Sequence, residues 1–202
     1  MTAFSTAQER RARRRSEARG AILGAAEILL VERGLGGFSM RRLAARCGYT
    51  LPTIYHHFGD KPGLLDALLE ERFRDVLEVL RVIPPQQDPA AAVRALMHSF
   101  VEFGLRNPTH YQLLVATLRE GSEPPAAVEL RGLLETPLDA LLAAGRLRAG
   151  DTEVVAQALW AFSHGLILLR TSRADLAWAP DLIDVALDGM LRGLVRPAEA
   201  SG

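Results

Sequence analysis

Phe38-Ser-Met-Arg-Arg-Leu-Ala-Ala-Arg-Cys-Gly-Tyr-Thr-Leu-Pro-Thr-Ile-Tyr-His-His-Phe-Gly-Asp-Lys-Pro-Gly-Leu-Leu65 is the stretch that decides the fold. Ser39 is placed to cap a short helix, its hydroxyl taking a backbone N–H that a helix start leaves unpaired. Met40, Leu43, Ala44 and Cys47 then fall on one side of that helix. Gly48 stops it, because a residue without Cβ takes the left-handed turn at little cost. Thr50 caps a second short helix, and Pro52 falls in its first turn, where a missing N–H costs nothing. Ile54 and Phe58 point inward from that helix. Two short helices joined by a glycine turn and braced by another helix make a helix-turn-helix unit. One of the two enters a DNA major groove about 12 Å wide, and the polar residues left over by packing face the DNA.

Working outward, the bracing helix is expected at about 16–33, with Ile22, Ala25, Ala26, Leu29 and Leu30 on its apolar face and Gly34 ending it. Before it, residues 1–15 hold five arginines between Arg10 and Arg15 and read as a mobile basic arm, which leaves open a solvated tail or a DNA contact. After the stretch, Asp60 caps a long helix at about 61–82. Pro84-Pro85 is the strongest punctuation in the chain and marks the expected domain boundary. Further helices are expected at about 88–106, 108–119, 124–144, 151–172 and 180–195, with Pro137 kinking or splitting the third. No alternation of the strand period persists, so the fold class is all-α.

Bulk properties agree. Of 202 residues, 49% are apolar, enough for a core. No run approaches the roughly 18 uninterrupted apolar residues of a membrane span. Cys47 is the only cysteine, which excludes an internal disulfide and fits a reducing cytoplasm. Residues 1–83 carry 14 basic and 10 acidic side chains and residues 84–202 carry 10 and 14, so a neutral chain hides a basic first half. That asymmetry suits an anionic partner at one end. Neither a nucleophile elbow, a paired-carboxylate pattern nor a Gly-rich phosphate loop is present, so an enzyme is not expected. His98, His110 and His164 match no zinc spacing, so no metal and no cofactor are expected.

The quoted stretch closely resembles the DNA-binding domain of TetR-type regulators, over about 16–69. The order Ile54-Tyr55-His56-His57-Phe58, then Lys61 and Leu64-Leu65, is its most specific part. The resemblance implies an N-terminal three-helix DNA-binding domain (16–83) and a C-terminal domain that binds ligand and dimerises (84–197), with a tail at 198–202. About nine helices are expected, the long fourth one joining the two domains. It implies that Ser39, Arg41 and Arg42 approach a phosphate and that Thr50, Leu51, Pro52 and Thr53 open the recognition helix at the base edges. Tyr55 would donate to a phosphate, His56 would read a base or a phosphate, and Lys61 would add a phosphate contact. His57 reads as a packing or capping residue and Cys47 as a small core residue.

In the C-terminal half, the segment Ala156–Leu169, with Trp160 and His164-Gly165, and the segment from Asn107-Pro108 to Leu114 resemble one subgroup of these C-terminal domains. A small-molecule site is expected between its helices, lined by Phe100, Phe103, Tyr111, Leu114, Leu118, Trp160, Ser163, His164 and Ile167, for an apolar or amphipathic inducer. A homodimer is expected through Val155, Leu159, Phe162 and Leu166 of one helix and Ile183, Leu187, Met190 and Leu194 of the last, packed as a four-helix bundle with its counterpart. Its two-fold axis implies a near-palindromic double-stranded operator. The expected protein is a cytoplasmic regulator, a repressor released by ligand, with no membrane partner. The rival readings are a small helical ligand carrier or enzyme, and a purely structural dimer.

Overall fold

The computed structural model describes residues 6–117 and 123–198, with backbone alone for 114–117. The described residues form nine helices: α1 Ala7–Gly37, α2 Met40–Cys47, α3 Leu51–Phe58, α4 Lys61–Arg81, α5 Pro89–Arg106, α6 Pro108–Thr117, α7 Pro125–Ala143, α8 Thr152–Ser172 and α9 Leu182–Leu194. One antiparallel bridge, Leu147 with Val195, is the strand-like pairing among them.

The helices fall into two compact units. Residues 6–72 with 112–117 form the first, and 73–111 with 123–198 form the second. The division therefore runs through α4, between Arg72 and Phe73, and not at Pro84-Pro85. The physical reason is that Leu64, Leu65 and Leu68 at the start of α4 join the first core, as does Leu113 of α6.

In the first unit Ile22, Leu23, Ala26, Leu43, Ile54, Leu64 and Leu68 are fully buried. The turns follow the sequence logic: Ser39 Oγ accepts Arg42 N at 3.3 Å, Gly48 ends α2 at φ 74°, and Thr50 Oγ1 accepts Thr53 N at 3.4 Å. Truncating Leu43 or Ile54 to alanine removes apolar volume from this core, a loss of about 2–5 kcal/mol. A shielded ion pair ties α1 to α4: Arg72 Nη1 lies 3.6 Å from Glu27 Oε2, with side chains 13% and 10% exposed.

Of the expected basic arm, residues 7–15 are instead helix, and residues 1–5 lie outside the described residues. Thr6 Oγ1 accepts Glu9 N at 3.2 Å while Glu9 Oε2 accepts Thr6 N at 2.7 Å, a reciprocal cap that starts α1 at Ala7. Arginine and glutamine are good helix formers, so once a cap exists nothing between Ala7 and Ser16 stops the helix. Gly34, at φ 64°, breaks the helical geometry near the other end, as the sequence implied.

In the second unit α5 lies against α7, α8 and α9. Val93, Met97 and Val101 of α5 pack with Leu138 and Leu141 of α7, Val155, Leu159 and Ile167 of α8, and Ile183, Leu187 and Leu191 of α9. At Gly104 α5 comes close to α8: an added methyl carbon there would stand 2.7 Å from Ile167 Cδ1. α7 runs unbroken through Pro137, which is buried, so the expected split is absent. The C-terminal end closes on the α7–α8 loop, where Arg146 O accepts Arg196 N at 2.7 Å and Arg146 Nη1 donates to Asp88 Oδ1 at 2.6 Å.

This packing takes half of the expected dimer stripe into the protomer's own core. Val155, Leu159, Ile183 and Leu187 face their own core and are buried, while Phe162, Leu166, Met190 and Leu194 sit half-buried at its edge. α8 is apolar on both sides, so apolar periodicity alone does not say which side turns inward. The outward side carries Val154, Ala161 and Leu168 on α8 and Val185 on α9, with Leu168 53% and Val185 59% exposed. Gly165, Gly189 and Gly193 leave open space around the position a Cβ would take.

Candidate functional site

α3 is positioned by Ile54 and Phe58, both buried in the first core. With that side fixed, Pro52, Tyr55 and His56 are left exposed, Tyr55 by 44%. Thr50 and Thr53 share a hydroxyl contact of 2.9 Å at the helix start. Leu51, expected to offer apolar contact to a base, is half-buried and packs against the core, so Pro52 is the exposed apolar residue there. Arg41 and Arg42 are exposed in the first turn of α2, and Arg42 Nη1 donates to Gly37 O at 2.6 Å. Guanidiniums carry five donors, so this bond leaves Arg42 with others.

Lys61 sits differently from the expectation. Its Nζ donates to Leu35 O and Phe38 O at 3.4 and 3.3 Å and lies 5.3 Å from the centre of the Phe38 ring. The ammonium is folded onto the loop that precedes α2 and braces it. His57 is half-buried beside Phe58; burial first, then the charges of Arg15, His56 and Arg19, hold its imidazole below the ordinary value. That favours a neutral packing residue over a cationic phosphate contact.

Two features gave no sequence signal. Arg19 Nη1 donates to Glu71 Oε2 at 3.0 Å while its guanidinium lies 5.6 Å from the Phe58 ring centre. Arg46 makes a two-point pair with Glu32, at 2.6 and 2.8 Å. Partners separated by this much chain show no spacing rule. The Arg46 pair borders a surface groove of about 420 Å³ lined by Leu29, Glu32, Arg33, Arg42, Ala45 and Arg46.

In the second unit three of the expected ligand residues meet at a fourth, His164. Its ring centre lies 4.6 Å from Trp160, 5.4 Å from Tyr111 and 5.5 Å from Phe100. The Tyr111 hydroxyl is 2.7 Å from His164 Nδ1 and 3.2 Å from the His164 carbonyl. Burial pushes His164 down to about 4 and Tyr111 up to about 12. Both rings are therefore neutral near pH 7, and the cluster offers hydrogen bonds without charge. Trp160 is 56% exposed and covers the imidazole from outside. Phe103, Ser163 and Ile167 are buried; Ile167 is core, packed on Gly104, and Ser163 Oγ has no hydrogen-bond partner among the described residues. The Leu114 side chain and Leu118 lie outside the described residues.

Residues 22–68 match the family described as bacterial regulatory proteins, tetR family. Residues 93–194 match the tetracyclin repressor-like C-terminal domain. Among characterised proteins, the HTH-type transcriptional activator FasR of Mycolicibacterium smegmatis is 26% identical over 183 residues, 90% of this chain and 81% of FasR. The tetracycline repressor protein class C of Escherichia coli is 46% identical over 52 residues, 26% of this chain and 24% of that repressor. A TetR family transcription regulator from Marinobacter aquaeolei VT8 shares the fold with a TM-score of 0.77 at 17% identity, covering 92% of this chain and 100% of its own. A protein with unknown function from Rhodococcus sp. RHA1 gives 0.63 at 28% identity, covering 89% of this chain and 96% of its own. The helix-turn-helix of the first unit and the helical second unit are thus each accounted for, and the chain belongs to the tetR family of DNA-binding transcription regulators.

Proposed function

We propose that this regulator is a cytoplasmic homodimeric repressor that leaves a near-palindromic operator when a neutral, apolar or amphipathic small molecule occupies the second unit. The observation that carries the DNA half is the exposed row Pro52, Tyr55 and His56 on a helix whose opposite side is locked by Ile54 and Phe58. Thr50 and Thr53 stand at its start to meet base edges, while Ser39, Arg41, Arg42 and Tyr55 meet phosphates. Lys61 serves chiefly to brace the loop at 35–38, and Leu51 to pack.

The ligand half rests on the uncharged aromatic cluster of Phe100, Tyr111, Trp160 and His164. With no ionised group among these four, a neutral ligand fits better than an ion, with one acceptor or donor for the Tyr111–His164 pair. The Trp160 and His164-Gly165 pattern, with Asn107-Pro108, supports a place in the Trp/His-Gly subgroup. The dimer reading rests on the outward side of α8 and α9, an apolar surface with Gly165, Gly189 and Gly193 open to close approach by a second copy. FasR is named an activator and the class C relative a repressor. Repression is preferred because a dimer seated over promoter DNA blocks transcription with no further contact surface.

Selection of bound fragments from genomic DNA tests the DNA half, followed by a reporter assay with and without the gene. Enrichment of a palindromic sequence and a rise in reporter output on deletion are expected. A fall in output makes the protein an activator, and enrichment of nothing overturns the reading. By linkage, any ligand found must lower operator affinity by the factor by which operator lowers ligand affinity.

A further inference from the structure

The N-terminal part of α1 has no core to serve. Ile22 is the first buried residue of the helix, and residues 7–17 are all exposed. Between Ala7 and Arg19 there are six arginines against two glutamates. A helix polar on every side gains little from tertiary packing, so its stability and its use come from elsewhere.

The arginines are ordered. Arg11, Arg15 and Arg19 follow at four-residue steps and so form one row, about 6 Å apart along the axis. The inner end of that row is fixed: Arg19 holds Glu71 at 3.0 Å and lies over the Phe58 ring of α3 at 5.6 Å. Arg15, one turn further out, is near enough for its charge to act on His57 of α3. Arg11 lies another turn beyond. The row thus starts at the C-terminal end of the recognition helix and leads away from it. Glu17, which pairs with Arg13 at 3.2 Å, lies on a different side of the helix.

We propose that this helical extension is a second DNA contact, in which Arg11 and Arg15 neutralise phosphates flanking the segment met by α3. The proposal rests on the reading that α3 enters the major groove, and continuity with that surface is what selects duplex DNA as the partner. A rigid helix tracks the backbone from outside, whereas an extended arm would thread a groove. The contact therefore adds affinity and footprint length with little sequence preference.

The test uses the full chain and the Arg11→Ala/Arg15→Ala double variant. Alanine is the best helix former, so the extension keeps its helix. Affinity is measured from about 50 to 200 mM salt on a duplex carrying the selected operator, and on a scrambled duplex of equal length. Each neutralised phosphate contributes about 0.9 to the slope of log affinity against log salt. Two arginines in each of two copies should lower that slope by about 3 to 4, so the variant loses roughly 100-fold less affinity than the parent over this range. The same fall is expected on both duplexes. Arg11→Lys/Arg15→Lys should restore the slope, and a duplex trimmed to the α3 segment should lower the parent's slope to the variant's. An unchanged slope with operator binding intact overturns the contact alone. Failure of the parent to bind any duplex overturns the reading of α3, and this contact with it.

Discussion

Gly104→Ala is the substitution whose effect follows most directly from the packing. In an ordinary helix interior, replacing glycine by alanine stabilises by about 0.5–1 kcal/mol, because glycine has more backbone freedom to lose. At Gly104 the new methyl carbon would stand 2.7 Å from Ile167 Cδ1, 2.9 Å from Cγ2 and 3.1 Å from Cγ1. Carbon atoms prefer a separation of about 3.5–4.0 Å, so the first two contacts are short by about 0.6–0.8 Å. The Cδ1 end can rotate away. Cγ2 cannot, because it is attached to Cβ and the χ1 angle of a β-branched residue in a helix is nearly fixed. Relief must come from separating α5 and α8, an overpacking cost of about 1–3 kcal/mol that outweighs the helix gain.

Gly132→Ala in α7 is the control, since nothing lies within 4 Å of its added carbon. Urea unfolding at one protein concentration should place Gly104→Ala about 1–3 kcal/mol below Gly132→Ala. Ile167→Ala on the Gly104→Ala background should recover part of the loss, giving a coupling of about 0.5–3 kcal/mol in a double-mutant cycle. The substitution also reaches function. Phe100 stands one turn before Gly104 and His164 one turn before Ile167, so parting the helices loosens the ring contact of 5.5 Å between them. Ligand response should weaken while operator affinity holds. Equal stabilisation by both alanines, with no coupling to Ile167, would refute the close approach of α5 and α8.

Three further predictions follow from single contacts. Tyr55→Phe should weaken operator and scrambled DNA alike, by roughly ten- to a hundredfold for a lost hydrogen bond to a charged phosphate, whereas His56→Ala should change the preferred sequence in a binding selection; an unaltered affinity and an unaltered sequence, respectively, count against each role. Leu168→Glu or Val185→Glu should give folded monomers by sedimentation with operator affinity lost, while Leu187→Glu, aimed into the protomer core, should unfold the chain; intact dimers of the first two would move the interface elsewhere. Asp88 caps α5 and pairs with Arg146, whose guanidinium, ahead of opposing burial, holds the carboxyl below its ordinary value. Its contribution is therefore present above the unfolded value near 3.8 and is lost as pH falls through the lower folded value, so the stability gap between parent and Asp88→Asn should be open at pH 7 and close below about pH 4. A gap independent of pH would remove the ion pair from the account.

What the sequence made legible was local chemistry. Ser39, Gly48 and Thr50 act within three or four residues of themselves, so their effect is written where they stand. The extension of α1 was missed because it depends on a cap at Thr6 and Glu9, ahead of a segment whose charge suggested disorder. Long-range pairs such as Arg19 with Glu71 were invisible, since no spacing rule joins partners that meet only after folding. The grouping of Phe100, Tyr111, Trp160 and His164 was readable as aromatic residues on neighbouring helices, but the neutral Tyr111–His164 pair at its centre was not.

That half of the expected dimer stripe lies in the protomer core has a clear cause. A helix between a core and a second copy must be apolar on two sides, and a periodic reading finds both rows without ranking them. Burial in the folded protomer ranks them. Val155, Leu159 and Ile167 fill a protomer interior that tolerates no voids, with Gly104 cut away to admit the last of these. The row Val154, Ala161 and Leu168, seven residues apart, is exposed and runs beside Gly165. Seven-residue spacing with glycine beside it is what two helices need to run close together, whereas a four-residue step of large side chains is what a globular core needs. The same ranking applies to α9, where Ile183, Leu187 and Leu191 fill the interior and Val185, Gly189 and Gly193 are left outside. On both helices the residues packed into the protomer leave an exposed row, Val154, Ala161 and Leu168 on α8 with Val185 on α9, as the surface that a second copy would cover under the proposed dimer.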